Sequence, residues 1–117
     1  MSTRPSISTH VLDTAAGAPA AGVPVRLSRF ASNGDSGAEW TARTDADGRV
    51  ADLLEGAELV AGAYRLAFDI ATYRAARGER TAFFRSLTLD ITIDDTARSY
   101  HVPLLLAPFG CTTYRGS

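Results

Sequence analysis

The sequence predicts a small all-β sandwich with one short helix, and two observations carry that prediction. Apolar and polar residues alternate with period two through most of the chain, which is the pattern of strands with one buried face. Turn-forming clusters separate the alternating runs at the spacings of a sandwich rather than a helical bundle. With 117 residues and 45% hydrophobic composition, the chain has the size of a single domain, taken as residues 1–117. A chain of this size removes about two-thirds of its extended surface from water, enough for one core without disulfides. Cys111 is the only cysteine, so no intrachain bridge forms.

Each element has its own signal. A strand-like stretch around His10 comes first, followed by the Ala/Gly/Pro cluster AGAPAAG at 16–22, which reads as a turn. Val23, Val25 and Leu27 then alternate with Pro24, Arg26 and Ser28, Pro24 marking a strand start or an edge. Asn33-Gly34 favours a tight hairpin and Asp47-Gly48 marks another turn. Tyr64, Leu66, Phe68 and Ile70 alternate with Ala63, Arg65, Ala67 and Asp69. Thr72 is placed to cap a helix over 73–77 that Gly78 ends in a left-handed conformation. Leu87, Leu89, Ile91 and Ile93 alternate with Thr88, Asp90, Thr92 and Asp94, the clearest half-buried antiparallel strand in the chain.

The segment 100–106 breaks the pattern. Tyr100, Val102, Leu104 and Leu106 share one face, while Pro103 and Leu105 lie on the other beside His101. A sandwich this small has no second layer for that face, so a partner chain is expected to cover it and the protein is expected to be an oligomer.

Charge excludes several functions. The net charge is -1, with 12 basic residues, all arginine, against 13 acidic ones, which gives no electrostatic basis for binding nucleic acid or an anionic membrane. No apolar run approaches the roughly 18 residues of a membrane span, and MSTRPSISTH has no signal-peptide character. A cytoplasmic location is expected.

The residues that could carry chemistry are few. His10 and His101 are the only histidines, and by strand parity neither occupies a core position. Pattern alone leaves two ordinary surface or interface histidines as open as an acid/base pair, for which an imidazole pKa of about 6.5 is suited. TDADGR at 44–49 would place Asp45, Asp47 and Gly48 at three positions of a calcium loop, but Arg43 and Leu54 then fall where ligands are required, and no helical pattern flanks it. It is read as a hairpin turn that displays Arg49, a planar cation able to clamp a carbonyl-rich anion or depress a histidine pKa. Cys111 lacks the electropositive context of a thiol nucleophile. Two histidines and one cysteine lack the close ligand pair of a structural zinc site, and no G-x-S-x-G elbow supports a serine triad.

Taken together, STHVLD at 8–13, TDADGR at 44–49 and the last segment, YHVPLLLAPFGCTTYRGS, resemble the 5-hydroxyisourate hydrolase family, the transthyretin-related enzymes of urate degradation. The likeness runs along essentially the whole chain, and its most specific element is the tetrapeptide Tyr114-Arg115-Gly116-Ser117.

The resemblance implies a transthyretin-like sandwich of two four-stranded antiparallel sheets with one short helix. It implies a homotetramer, a dimer of dimers, with active sites in clefts between dimers. The implied reaction is hydrolysis of the cyclic amide between N1 and C6 of 5-hydroxyisourate, giving 2-oxo-4-hydroxy-4-carboxy-5-ureidoimidazoline, with no obligatory cofactor and no metal. Carried over residue by residue, His10, Arg49, His101 and Ser117 form the catalytic set, while His10, Arg49, Tyr114, Arg115 and Gly116 bind substrate. His10 would deprotonate the attacking water, His101 relay a proton to the leaving nitrogen, and Arg49 stabilise charge on the C6 oxygen and keep the histidines neutral. Ser117 would offer a hydroxyl and a terminal carboxylate. Ser99, Gly110-Cys111-Thr112 and Phe83-Phe84-Arg85-Ser86 depart from the family pattern. Two other readings share the fold: a transthyretin-like protein that binds a small ligand without hydrolysing it, and a structural module.

Overall fold

The structure, a computed structural model, describes residues 4–30, 36–79 and 82–117. Its elements in chain order are β1 (Ile7–Asp13), β2 (Ala18–Pro19), β3 (Pro24–Phe30), β4 (Ser36–Arg43), β5 (Arg49–Val50), β6 (Gly62–Asp69), α1 (Ile70–Ala76), β7 (Ser86–Ile93), β8 (Tyr100–Ala107) and β9 (Gly110–Thr113). They form two sheets. One has the order β2-β1-β8-β9, with β5 also paired to β1; the other has the order β4-β3-β6-β7. Ile7, Val11, Leu104 and Leu106 of the first sheet join Leu27, Leu66, Phe68 and Ile93 of the second in one buried cluster, as the period-two pattern requires.

The two-sheet sandwich and its single helix agree with the expectation, and three details differ. The first sheet holds five strands, because AGAPAAG is more than a turn: Ala18 and Pro19 fold back onto Asp13 and Leu12. Strands of two residues are too short for any periodicity to reveal. The sheets are also not wholly antiparallel, since β1 and β8 pair in parallel from Ile7↔Tyr100 to Asp13↔Leu106. No hairpin links these two strands, so no turn dictates their relative direction.

The third difference is the helix, which starts one turn earlier than 73–77 and is capped by Asp69 rather than Thr72. The Asp69 carboxylate accepts the Thr72 N–H at 3.0 Å and the Thr72 hydroxyl at 2.7 Å, which satisfies an otherwise orphaned first-turn donor. Ile70 fits both the strand alternation and the helix face that buries Tyr73 and Arg74, so sequence parity assigned it to the strand. Gly78 does take the left-handed conformation, with φ +73°.

A buried ionic cluster fastens this helix to the end of β1. Asp13 Oδ2 accepts from Tyr73 Oη at 2.8 Å and from Arg74 Nη1 at 3.0 Å, while its Oδ1 accepts the N–H groups of Ala15 and Ala16. Burial alone would raise the Asp13 pKa, but the bonds from Ala16 and Tyr73 and the charge of Arg74 outweigh it and hold the carboxyl below its ordinary range. Burial and then Asp13 push the Tyr73 hydroxyl up to about 12.

Pro24 opens β3, which is a central strand, so it marks a start and not an edge. β3 and β4 pair antiparallel; the Asn33-Gly34 turn read between them lies outside the described residues. On the outer face of β8, Pro103 is buried and Leu105 half-buried, and the Thr113 hydroxyl donates to the Pro103 carbonyl at 2.8 Å. No helix among the described residues is long and apolar enough to cross a membrane.

Candidate active site

Strand parity gathers the site. In β1 the even residues Ser8 and His10 face away from the core that takes Ile7, Thr9 and Val11. The parallel register places His101 opposite Ser8, and the antiparallel register of β5 places Arg49 opposite His10. Residues in register share a face. Ser8, His10, Arg49 and His101 therefore stand together on the outer face of the first sheet.

The turn that carries Arg49 is locked by its own sequence. Asp45 Oδ1 accepts the N–H groups of Asp47 at 2.9 Å and Arg49 at 3.0 Å, and the Asp45 carbonyl accepts the Gly48 N–H at 2.9 Å, as Asx turns do. Gly48 has φ +76°, and a Cβ there would lie 2.3 Å from the Val11 carbonyl oxygen. Only glycine allows that approach. The Asp45 carboxylate is thus occupied in shaping the loop, and no group of three or more potential metal ligands gathers among the described residues.

This turn also delivers the Asp47 carbonyl oxygen to His10 Nε2 at 2.9 Å. A carbonyl only accepts, so Nε2 carries the hydrogen and the lone pair of neutral His10 is on Nδ1. His101 has a different partner, since its Nδ1 lies 2.8 Å from Ser8 Oγ. Burial first, then the positive charge of Arg49, then His10, hold the His101 pKa below its ordinary value of 6.5.

The tail reaches the same ring. The Gly116 N–H donates to the His101 carbonyl at 2.7 Å as an isolated antiparallel bridge. A Cβ on Gly116 would lie 2.9 Å from His101 Cδ2, so the backbone of the tail packs directly against the imidazole edge. Tyr114, Arg115 and Ser117 flank that contact and are exposed.

The structure therefore brings together His10, Arg49, His101 and Gly116, and places Tyr114, Arg115 and Ser117 on the segment beside them. Sequence reasoning missed the two groups that orient the imidazoles. Ser8 shares the parity of His10, which was a usable signal, but the Asp47 contact comes from a backbone carbonyl and has no side-chain signature. Cys111 is half-buried, and burial pushes its thiol up with only partial relief from Arg74, so it stays a protonated thiol rather than a nucleophile. Ser99, a departure from the family pattern, accepts the Ser6 N–H at 3.1 Å.

In the single chain Ser8, His10 and His101 are half-buried and Arg49 is exposed. A groove of about 640 Å³ lies elsewhere, on the other sheet, lined by residues that include Arg26, Thr41, Ala67 and Thr88 but no histidine. Volume and chemistry disagree, and chemistry favours the histidine face as the candidate, because no residue able to exchange a proton near neutral pH lines that groove.

Comparison with known proteins supplies the family. Residues 7–116 match the family model described as the HIUase/Transthyretin family. The chain belongs to this family. Within the HIUase/Transthyretin family it is 44% identical over 116 residues to the 5-hydroxyisourate hydrolase of Caulobacter vibrioides, covering 95% of this chain and 97% of that protein. The solved structure of Klebsiella pneumoniae 5-hydroxyisourate hydrolase superposes with a TM-score of 0.81 at 38% identity, covering 97% of this chain and 99% of that one. Sea bream transthyretin in complex with thyroxine superposes with a TM-score of 0.85 at 30% identity, over 94% of this chain and 93% of that one.

Proposed function

We infer that this chain is an enzyme that hydrolyses 5-hydroxyisourate to 2-oxo-4-hydroxy-4-carboxy-5-ureidoimidazoline. The observation that carries this is the convergence of two imidazoles and a guanidinium on one sheet face, in a chain similar along its whole length to proteins named 5-hydroxyisourate hydrolase.

Each group has a task in this reading. His10 Nδ1, the free lone pair, takes a proton from the attacking water as its oxygen bonds to C6. Arg49 holds substrate oxygens and stabilises the charge that develops on the C6 oxygen. His101 relays a proton to N1 as the C6–N1 bond breaks, so the elements of water end on C6 and N1. Tyr114, Arg115, Gly116 and Ser117 line the substrate side of the cleft, with Ser117 assigned to the catalytic set. No cofactor or metal enters this scheme.

The working form in this reading is a homotetramer, a dimer of dimers, whose dimer–dimer cleft closes over the histidine face. Its support is Phe109, 81% exposed, and Tyr114, 57% exposed, apolar side chains uncovered in the single chain. A cytoplasmic setting belongs to the same reading.

A second reading is favoured by the transthyretin–thyroxine likeness: a carrier that binds a small ligand without hydrolysis. A carrier has no chemical need for two oriented imidazoles beside an arginine. The test is product formation by His10→Ala, Arg49→Ala and His101→Ala. Each should lower it at least a hundredfold while the sandwich stays folded by circular dichroism. Full turnover by the three folded variants would return the site to a structural role.

A further inference from the structure

Ser8 stands outside the catalytic and binding set above, yet its hydroxyl is the group that holds the His101 ring. We propose that Ser8 is a positioning residue for His101, a hydroxyl that stays hydrogen-bonded to Nδ1 whichever way the ring is protonated and so keeps Nε2 aimed at the substrate. This rests on the hydrolytic reading of the same face.

Three observations support it. Ser8 Oγ lies 2.8 Å from His101 Nδ1, and this is the only hydrogen bond of the Ser8 side chain among the described residues. The contact is dictated by the fold, because parallel pairing of β1 with β8 sets Ser8 and His101 in register on the outer face. The two imidazoles of the site also have partners of opposite kind. His10 bonds a carbonyl, which only accepts and therefore fixes one tautomer. His101 bonds a hydroxyl, which donates to a bare Nδ1 and accepts from a protonated one.

That difference matches the tasks. A base that must always present the same lone pair is served by a one-way partner. A ring that relays a proton changes its protonation state, and a carbonyl partner would be lost or opposed in one of those states. As the ring gains at Nδ1 the proton that His10 took from water and gives its Nε2 proton to N1, the hydroxyl turns from donor to acceptor, so the bond persists and the ring never becomes an anion. In the proposed resting state the Ser8 hydroxyl donates to Nδ1 and the His101 hydrogen sits on Nε2. Gly116, packed on the Cδ2 edge, restrains the ring from the other side.

The experiment compares wild type, Ser8→Ala and Ser8→Thr. With two histidines in the chain, the imidazole ¹⁵N spectrum contains two rings and reports each tautomer separately. In Ser8→Ala the His101 signals should move from the Nε2–H tautomer toward a mixture, with those of His10 unchanged. On 5-hydroxyisourate, kcat should fall about tenfold to a hundredfold, by analogy with partners that orient metal-bound imidazoles, with KM within about twofold. Ser8→Thr should restore both readouts. An unchanged His101 spectrum and an unchanged kcat in folded Ser8→Ala would overturn the proposal, as would loss of kcat that Ser8→Thr fails to restore. Should wild type prove inactive on this substrate, the hydrolytic reading fails by itself, and the ¹⁵N comparison still decides what Ser8 does to the ring.

Discussion

His10 Nε2 donates to the Asp47 carbonyl oxygen across 2.9 Å, so a backbone group at the tip of a turn chooses which ring nitrogen keeps its lone pair in a neutral histidine 37 positions away. The choice depends on Gly48, whose φ of +76° and near-contact with the Val11 carbonyl hold Asp47 in place. Gly48→Ala should cost roughly 1–3 kcal/mol from the left-handed backbone alone, with the Val11 clash added. Thermal unfolding should show that loss, and activity should fall further than the lost folded fraction accounts for.

Gly116→Ala should act in the opposite proportion. Its Cβ would press on the His101 ring at 2.9 Å, at a point where the tail meets the sheet through one bridge. Thermal stability should change by about 1 kcal/mol or less, since a single isolated bridge is at stake. Turnover should drop at least tenfold. Full activity would show that the tail has room to move off the ring.

The pH dependence follows from the direction of the His101 shift. Burial, Arg49 and His10 hold its pKa below 6.5, so the neutral ring persists to lower pH than a free imidazole would allow. Activity that needs neutral His101 should therefore survive acidification through pH 6.5 and fail below it. Removing a nearby positive charge favours the protonated ring. In Arg49→Gln, an NMR titration should show the His101 pKa moved upward, and a downward move would contradict the placement of Arg49 beside it.

Asp13 and Arg74 form the buried pair that docks the helix on β1, with relative exposures of 1% and 6%. Asp13→Ala leaves Arg74 with only the partly exposed Glu79 carboxylate, 3.2 Å from the same nitrogen, and should cost about 3 kcal/mol at neutral pH, the low end for breaking a buried pair. Because the Asp13 pKa is lowered in the folded chain, its contribution is present above the unfolded value of 3.8 and disappears as pH falls through the folded value. The stability gap between wild type and variant should accordingly narrow in strong acid.

Sequence reading reached the sandwich because alternation is a local property: β3, β6 and β7 each display it within eight residues or fewer. It missed β2 and β5, whose two-residue pairings exist only once the partner strand is in place. It misplaced the helix start because Ile70 serves strand and helix patterns equally. The site residues were named from a resemblance, whereas their common face came from the β1–β8 and β1–β5 registers, which join positions far apart in the chain. The tautomer of His10 lay beyond any residue pattern, since the atom that sets it belongs to the backbone.

The most direct measurement generates 5-hydroxyisourate in situ with urate oxidase and follows its ultraviolet absorbance with and without this protein, the spontaneous decay serving as control. The expected result is accelerated loss of the substrate that disappears in folded His101→Ala. Decay at the spontaneous rate in the presence of the folded wild-type protein would contradict the hydrolase assignment and leave a ligand-binding sandwich.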